Sequence, residues 1–282
     1  MKDPRVSVVM SVHNEERYVS KAIQSILEQT FADFEFIIID DGSADRTTSI
    51  LTAYQQKDAR IRVLRHQLKK GLAQSLNEGI RIARGRYIAR MDADDISLPT
   101  RFEKQVAFLD THPKVGLVGT LCYEIDEKDA IVRKWSLPSN PSDLKKALLR
   151  FNPLIHTSVM IRKEVFNEIG YYNEKLRYSQ DYELWLRISR NYEIANLPEP
   201  LVMLRVDLEK ALKKNEEARK YSFYVRVMHL RQSKAPAHHY LYLLRPFLLT
   251  ILPSRFTIWL KKLKRRWNLL ALSVKINRIS GR

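Results

Sequence analysis

Cysteine and long apolar runs are both scarce in this sequence. Its single cysteine is Cys122, so the chain has no internal disulfide, as is usual in a reducing compartment. No apolar segment precedes the strand pattern that starts at Arg5, and we therefore expect no signal peptide. The apolar stretch 240–260 is interrupted by two arginines and two prolines. It falls short of an unbroken span of ~20 residues, so a transmembrane helix is not expected.

Acidic residues are scarce only in the last part of the chain. Residues 205–282 contain 19 Lys and Arg against 4 Asp and Glu, within a total charge of +17. This asymmetry indicates an anionic partner for the tail, either an acidic lipid surface or nucleic acid. The hydrophobic share of 45% argues against a disordered chain. A length of 282 residues allows one large α/β domain and an appendage.

Strand and helix patterns alternate along the first hundred residues. Continuous apolar runs predict buried strands, and apolar residues at intervals of three and four predict helices. The predicted strands cover residues 6–12, 34–39, 61–64 and 87–91, and the predicted helices cover residues 15–29, 47–54 and 72–83. Such alternation predicts βαβ units and a parallel sheet.

The pattern becomes mixed after Pro99. Helices are predicted at residues 101–110 and 179–190, strands at 115–125, 130–135 and 154–161, and an extended segment at 193–204. We therefore predict an α/β domain over residues 1–205, followed by a basic helical tail over residues 206–282.

Polar residues cluster after the carboxyl ends of three predicted strands. His13, Asn14 and Glu15 follow the first strand, residues 40–43 the second and residues 92–95 the fourth. Ligands of open α/β sheets bind at this edge. The sequence therefore predicts a single site there.

Aspartates dominate two of these clusters. Asp92, Asp94 and Asp95 place three carboxylates in four residues, and their repulsion would be relieved by a cation. Mg²⁺ and Mn²⁺ prefer such oxygen ligands, although a solvated turn is the alternative for an isolated cluster. Asp40 and Asp41 could likewise form a plain turn, or accept hydrogen bonds from a base or a ribose.

In their order and spacing these motifs resemble those of the family 2 glycosyltransferases. The matching segments are SVVMSVHNE from Ser7, IIDDGS from Ile38, Asn77, Gly85 with Tyr87 and Ile88, and DADD from Asp92. The resemblance covers about residues 5–205 and implies the GT-A nucleotide-sugar fold with a mixed, mainly parallel sheet. It also implies inverting transfer of a sugar from a nucleotide-sugar to an acceptor hydroxyl.

The resemblance implies roles for single residues of the donor site. The segment that would line the nucleotide pocket contains Ser11, His13, Asn14 and Glu15. Asp41, or its neighbour Asp40, would bind the uracil of a UDP-sugar. Asp92 and Asp94 match the DxD pair that contacts ribose and holds Mn²⁺ or Mg²⁺ on the diphosphate, and Asp95 would share the metal.

Two further residues would act near the reacting atoms. Asp181 lies in QDYELW from Gln180, which resembles the (Glu/Gln)-Asp-(Tyr/Trp) motif whose Asp is the general base. It would take the proton of the acceptor hydroxyl, or else it only caps the helix that follows. His156 would approach the diphosphate or the metal, unless it is a structural residue. Tyr182 and Trp185 are expected to face the core.

The tail combines aromatic and aliphatic residues with a dense basic run. This combination suits a helix lying in an anionic membrane interface. A basic helix packed on the domain is one alternative, and a nucleic-acid patch, which no motif supports, is another. The basic run contains Lys261, Lys262, Lys264, Arg265 and Arg266, and the apolar residues expected to enter the interface are Phe247, Leu248, Leu249, Ile251, Phe256, Ile258 and Trp259.

The sequence thus predicts a metal-dependent glycosyltransferase of cell-surface polysaccharide or glycolipid synthesis. Its partners would be a nucleotide-sugar donor, a glycan or lipid-linked acceptor and an anionic membrane, without nucleic acid. Its place would be the cytoplasm, at the inner face of the cell membrane. The alternatives are a nucleotide-sugar-binding protein without catalysis and a nucleic-acid-associated protein that uses the basic tail.

Overall fold

Parallel strands separated by helices form the first half of the sheet, as the alternating patterns predicted. The computed structural model describes residues 3–206, 208–233 and 236–251. Its first strands are β1 (Val6–Val12), β2 (Phe34–Asp40), β3 (Ile61–Arg65) and β4 (Tyr87–Asp92), and the helices between them are α1 (Val19–Leu27), α2 (Thr47–Lys57) and α3 (Leu72–Ile82). Every residue of β2 is buried, as is typical of parallel strands with helices on both faces.

The second half of the sheet is mixed. Its strands are β5 (Ile96–Ser97), β6 (Val115–Ile125), β7 (Ile131–Lys134), β8 (Met160–Arg162) and β9 (Glu193–Arg205), and its helices are α4 (Arg101–Thr111), α5 (Pro141–Leu148), α6 (Lys163–Ile169) and α7 (Gln180–Asn191). The strand order is β3-β2-β1-β4-β8-β6-β9-β5, with β7 paired to β6. The longest pairings are parallel, which confirms the predicted mixed, mainly parallel α/β sheet.

The register of the parallel strands brings three carboxyl ends to one edge. Ser11 of β1 lies between Ile39 of β2 and Asp92 of β4, and the next pair along joins Val12 to Asp40. The loops that follow β1, β2 and β4 therefore begin side by side. This is the edge at which the sequence predicted the site.

Several segments differ from the sequence prediction. The strand predicted at residues 154–161 is wrong: a 3₁₀ helix (His156–Ser158) precedes the short β8, and an apolar run alone does not separate a strand from other buried structure. The first helix begins at Val19 rather than at residue 15: residues 16–18 form a turn, and Glu15 N–H before it donates to Thr47 Oγ1 (2.9 Å). The short elements β5, α5 and α6 were not predicted.

Residues after Asp207 form a second unit by themselves. Its described elements are α8 (Leu208–Gln232), a 3₁₀ helix (Ala237–Leu243) and α9 (Leu244–Ile251). Among the described residues, no helix combines the length and apolar character that crossing a membrane requires.

Gly85 lets the chain before β4 lie directly on β1. A Cβ at this position would lie 2.5 Å from Ser7 N and 2.7 Å from Val6 C. Both are backbone atoms, which cannot move aside without disturbing β1. We expect Gly85→Ala to lower the free energy of unfolding, measured by urea denaturation, by about 1–3 kcal/mol. Arg86→Ala, at the exposed neighbouring position, should change it by less than about 1 kcal/mol; equal losses would contradict the close-packing explanation.

Candidate active site

The turn after β4 brings three carboxylates together. Oxygen atoms of Asp92, Asp94 and Asp95 lie within 4.8 Å of one another. The first of these residues is held from two sides: its N–H donates to Thr157 Oγ1 (3.0 Å) and its carboxylate pairs with the buried Arg90. The acidic turn, residues 92–95, is therefore a fixed part of the sheet edge.

The burial of the acidic turn favours the binding of a cation. Asp95 is 1% exposed; Oδ1 accepts a hydrogen bond from Arg205 N (2.7 Å), whereas Oδ2 is buried without a hydrogen-bond partner. Burial and, next, repulsion by Asp92 raise the pKa of Asp94 to about 6 and the pKa of Asp95 well above its usual value. A buried oxygen without a donor is costly, and carboxylate oxygens are ligands that Mg²⁺ and Mn²⁺ prefer. The three residues therefore fit a divalent cation.

Hydrogen bonds join the loop after β1 to the turn after β2. Asn14 has a left-handed backbone (φ 54°); its N–H donates to Ser43 Oγ (3.1 Å) and its Oδ1 accepts from Ala44 N (2.8 Å). The His13 ring N–H donates to the carbonyl oxygen of Asp41 (2.9 Å). The structure thus places residues 11–15 beside residues 40–44, and the side chains of Ser11, His13, Asn14 and Glu15 are all at least partly exposed.

Asp40, one of the two aspartates expected to bind the uracil base, is fully buried. Its Oδ1 accepts a hydrogen bond from Ser43 N (3.0 Å) and its Oδ2 accepts one from Thr48 Oγ1 (2.5 Å). Asp40 thus shapes the turn after β2, and a contact with uracil stays a prediction.

Asp41 is 2% exposed and is also held internally. Its carboxylate accepts hydrogen bonds from His66 Nδ1 (2.9 Å), Lys70 N (2.8 Å) and Gly71 N (2.9 Å). Burial raises the pKa of Asp41, but these hydrogen bonds, with His66 first, outweigh it and leave the pKa below its usual value. Asp41 is therefore a charged group that fixes the loop before α3, and its uracil contact likewise stays a prediction.

Asp181 lies in the first turn of α7. The cap position of this helix belongs to Ser179, which has a left-handed backbone (φ 59°) and makes no side-chain cap. Asn152 Nδ2 donates to Asp181 Oδ2 (2.8 Å), which orients the carboxylate. Burial raises the pKa of Asp181 above its usual value. A carboxylate of raised pKa, oriented by a neighbour, has the properties of a proton acceptor.

His156 lies among aromatic residues. Its Nε2 is 2.9 Å from Tyr172 Oη, and its ring meets Trp185 edge-on at 5.9 Å between centroids. Within the described chain, the group of side chains that could share a metal contains the three aspartates of the acidic turn but not His156. Burial lowers the pKa of His156 well below its usual value, which favours the neutral ring. Tyr182 and Trp185 are buried, as expected.

Sequence reasoning missed three residues that hold the site. Arg90 pairs with Asp92, Arg205 binds the acidic turn, and Asn152 orients Asp181. Arg90 had a signal that went unused: it is a charged residue inside an otherwise apolar strand, and such residues are rarely buried unless they have partners. Arg205, at the end of a strand that contains other polar residues, and Asn152 had no comparable signal.

The mixed, mainly parallel sheet, with the acidic turn at the edge where β1, β2 and β4 end, is that of the GT-A fold. Residues 7–170 match the family described as glycosyl transferase family 2, and the chain belongs to this family. It is 35% identical over 239 residues to an uncharacterized glycosyltransferase of Methanocaldococcus jannaschii, which covers 83% of this chain and 82% of that protein. It is 33% identical over 204 residues to the amylovoran biosynthesis glycosyltransferase AmsE of Erwinia amylovora, which covers 71% of this chain and 75% of the relative.

Solved structures share the fold at low sequence identity. Residues 1–349 of S. aureus TarS in complex with UDP-GlcNAc align with a TM-score of 0.67 at 18% identity, over 86% of this chain and 71% of that one. The chain spans 43% of a longer TarS structure. A mannosyltransferase from Pyrobaculum calidifontis in complex with GDP-Man and Mn²⁺ aligns with a TM-score of 0.64 at 19% identity, over 98% of this chain and 81% of that one.

Asp94→Asn should separate the stability of the metal-free protein from metal binding. The folded-state pKa of Asp94, about 6, lies above the usual aspartate value of 3.8. The stability that its protonated form contributes is therefore complete below that lower value and is lost as the pH rises through about 6. At about pH 7.5 in EDTA, we expect the variant to melt at or above the wild-type temperature, whereas Mn²⁺ with UDP should no longer stabilise it.

Asp110→Asn is the matched control with the opposite sign. Burial raises the pKa of Asp110, but hydrogen bonds from Tyr87 and Arg5 outweigh it, and the pKa lies below its usual value. The ionised form is therefore stabilising above the unfolded-state pKa, so this variant should melt below wild type in EDTA. If the melting temperatures of both variants fall by the same amount in EDTA, repulsion in the acidic turn is not the dominant effect at Asp94.

Proposed function

We propose that the protein transfers a sugar, with inversion and with the help of a divalent metal, from a nucleotide-sugar to an acceptor hydroxyl. The observation that carries the proposal is the acidic turn, with three carboxylates in reach of one ion and Asp95 Oδ2 buried without a donor. Family membership supports glycosyl transfer. A UDP-sugar is the proposed donor; the TarS complex with UDP-GlcNAc supports it, and the mannosyltransferase complex with GDP-Man makes guanine nucleotides the competitor to test.

The acidic turn would bind the metal and the diphosphate. Asp92, Asp94 and Asp95 would hold Mn²⁺ or Mg²⁺, while Arg90 supplies positive charge beside Asp92. The bound ion would stabilise the negative charge that develops on the leaving diphosphate. Mn²⁺ in the mannosyltransferase of the same fold supports this choice of metal. His156 is proposed to approach the diphosphate rather than to bind the metal, because it is not among the described side chains that could share one ion.

The nucleotide would lie along the loop after β1. Ser11, His13, Asn14 and Glu15 are proposed to contact base and ribose, because hydrogen bonds fix this loop beside the turn after β2. Asp40 and Asp41 are covered in this structure, so a contact of either carboxylate with uracil requires the residues that cover it to move.

Asp181 would act on the acceptor. With Oδ2 held by Asn152, the carboxylate takes the proton of the acceptor hydroxyl while that oxygen attacks the anomeric carbon. One attack on the face opposite the leaving diphosphate inverts the configuration at that carbon. We propose a glycan or lipid-linked acceptor in cell-surface polysaccharide synthesis; the relative AmsE, a glycosyltransferase of amylovoran biosynthesis, supports a role in polysaccharide synthesis.

Asp181→Asn tests the catalytic proposal. Binding of the donor, measured by the Mn²⁺-dependent rise in melting temperature across UDP- and GDP-sugars, should survive, because the residue faces the acceptor. Turnover should fall by about 10²–10⁴-fold. Glu183→Gln, on the same turn of α7 but paired with Arg187, is the control and should keep its turnover within about tenfold. If the variant loses donor binding but keeps its turnover at saturating substrate, Asp181 acts on the donor and not on the acceptor.

A wild-type protein that binds the donor but forms no free nucleoside diphosphate from it would support the non-catalytic alternative.

We also propose that the second unit binds an anionic membrane surface. Its described part exposes large apolar side chains at helical spacing, between 39% and 72% exposed: Tyr240, Leu241, Leu244, Phe247 and Leu248. The basic run predicted to bind lipid headgroups, residues 261–266, lies outside the described residues. Residues 252–282 contain nine Lys and Arg and no acidic residue. An apolar face next to such a sequence supports a place at the inner face of the cell membrane.

Charge reversal tests the membrane proposal. Replacing Lys261, Lys262, Lys264, Arg265 and Arg266 by Glu should abolish binding to vesicles that contain anionic lipid at low salt, since each basic residue contributes about 1 kcal/mol. The control reverses Lys145 and Lys146, which are exposed on α5, and should bind as wild type does. Equal binding to neutral and anionic vesicles, or none to either, would contradict the proposal.

A further inference from the structure

Arg205, the last residue of β9, is bound to the acidic turn through both its main chain and its side chain. Its N–H donates to Asp95 Oδ1 (2.7 Å) and its Nε donates to the carbonyl oxygen of Asp94 (2.8 Å). The side chain is 4% exposed. One residue therefore fixes the backbone of Asp94 and the carboxylate of Asp95, the two acidic residues that follow β4 in the acidic turn.

The same guanidinium also holds the turn between β6 and β7. Its Nη1 donates to the carbonyl oxygen of Asp126 (2.6 Å), and its Nη2 pairs with the Asp129 carboxylate. Asp129, which has a left-handed backbone (φ 67°), pairs in addition with Lys21 of α1. The turn of residues 126–129 thus connects Arg205 to the helix that follows the proposed nucleotide-binding loop.

A direct contact supports this connection. The guanidinium carbon of Arg205 lies 4.2 Å from the centre of the Tyr18 ring, a distance typical of a cation–π interaction. Tyr18 N–H donates to the carbonyl oxygen of Glu15 (3.0 Å). Arg205 therefore contacts the acidic turn directly, and it is connected to the proposed nucleotide-binding loop through one residue, Tyr18.

We propose that Arg205 and Asp129 are positioning residues of the donor site: they hold the acidic turn at a fixed distance from the loop of residues 11–15. The inference rests on the proposed metal-dependent function. A nucleotide diphosphate must contact both elements at once, with its base on the loop and its phosphates at the acidic turn. Partners of metal ligands commonly change metal affinity or activity by 10–100-fold when they are replaced, although they do not touch the metal.

A positioning role and a purely structural role predict different effects of a substitution on metal binding. The three carboxylates remain in a variant at residue 205 or 129, so enough Mn²⁺ should restore the site. We therefore expect the variants to need more Mn²⁺ while keeping most of their turnover at saturating Mn²⁺. A residue that only supports the fold would instead lower the melting temperature equally in EDTA and in Mn²⁺, with an unchanged need for metal.

The experiment compares Arg205→Lys and Asp129→Asn with Glu127→Gln in the full-length protein. Arg205→Lys keeps the charge but loses the Nε–H donor to Asp94. Glu127 lies on the same turn and also forms an ion pair, with Arg17 in the turn before α1 at 3.5 Å, but both side chains are more than 60% exposed. The readouts are the dissociation constant of Mn²⁺ at saturating UDP, by calorimetry, the Mn²⁺ dependence of turnover, and the melting temperature in EDTA.

We expect Arg205→Lys and Asp129→Asn to raise the dissociation constant of Mn²⁺ by about tenfold or more, and Glu127→Gln to stay within about twofold of wild type. Asp129 is 28% exposed, so its variant keeps the test open if Arg205→Lys does not fold. If a folded Asp129→Asn variant binds Mn²⁺ with unchanged affinity, this inference is overturned and the proposed function is not. Absence of Mn²⁺-dependent UDP binding in wild type overturns the proposed function and this inference with it.

Discussion

Parallel pairing of β1 with both β2 and β4 is the constraint on which the rest of the site depends. It aligns Ser11, Ile39 and Asp92 in one row across the sheet, so three loops that are far apart in sequence begin at the same edge. A shift of one residue in either pairing would turn the side chains of a whole strand to the other face. The loop after β1, the turn after β2 and the acidic turn could then no longer surround one ligand.

This edge carries an electrostatic cost that buried arginines offset. Burial and the neighbouring carboxylates favour the protonated forms of Asp94 and Asp95, and three buried arginines belong to the same region. Arg90 pairs with Asp92, and Arg205 binds the turn from the far strand. Arg101, fully buried and with its pKa lowered to about 9 by burial, donates to the carbonyl oxygens of Arg90 and Val159. The pKa values of Asp94 and Asp95 remain raised, so the arginines offset the cost only in part and the acidic turn favours a bound cation.

The sequence predicted what depends on local pattern and missed what depends on distant partners. The strands β1, β2 and β4 and their polar ends followed from apolar runs and from the edge rule for α/β sheets. The burial of Asp40 and Asp41 could not be foreseen, because their donors at Thr48, His66 and Gly71 come from other elements. The strand predicted at residues 154–161 failed because an apolar run reports burial and not backbone conformation.

The position of β9 has a consequence for how the site is made. β9 lies between β6 and β5 in the sheet and is the last strand of the first unit. Its final residue, Arg205, bonds to Asp95, which is 110 positions earlier in the chain. During synthesis from the N-terminus, the loop of residues 11–15 and the three carboxylates emerge long before β9. A ribosome-bound chain that ends before β9 therefore contains the whole acidic turn but lacks the residue that binds Asp94 and Asp95, so this part of the sheet edge is completed only when the domain is complete.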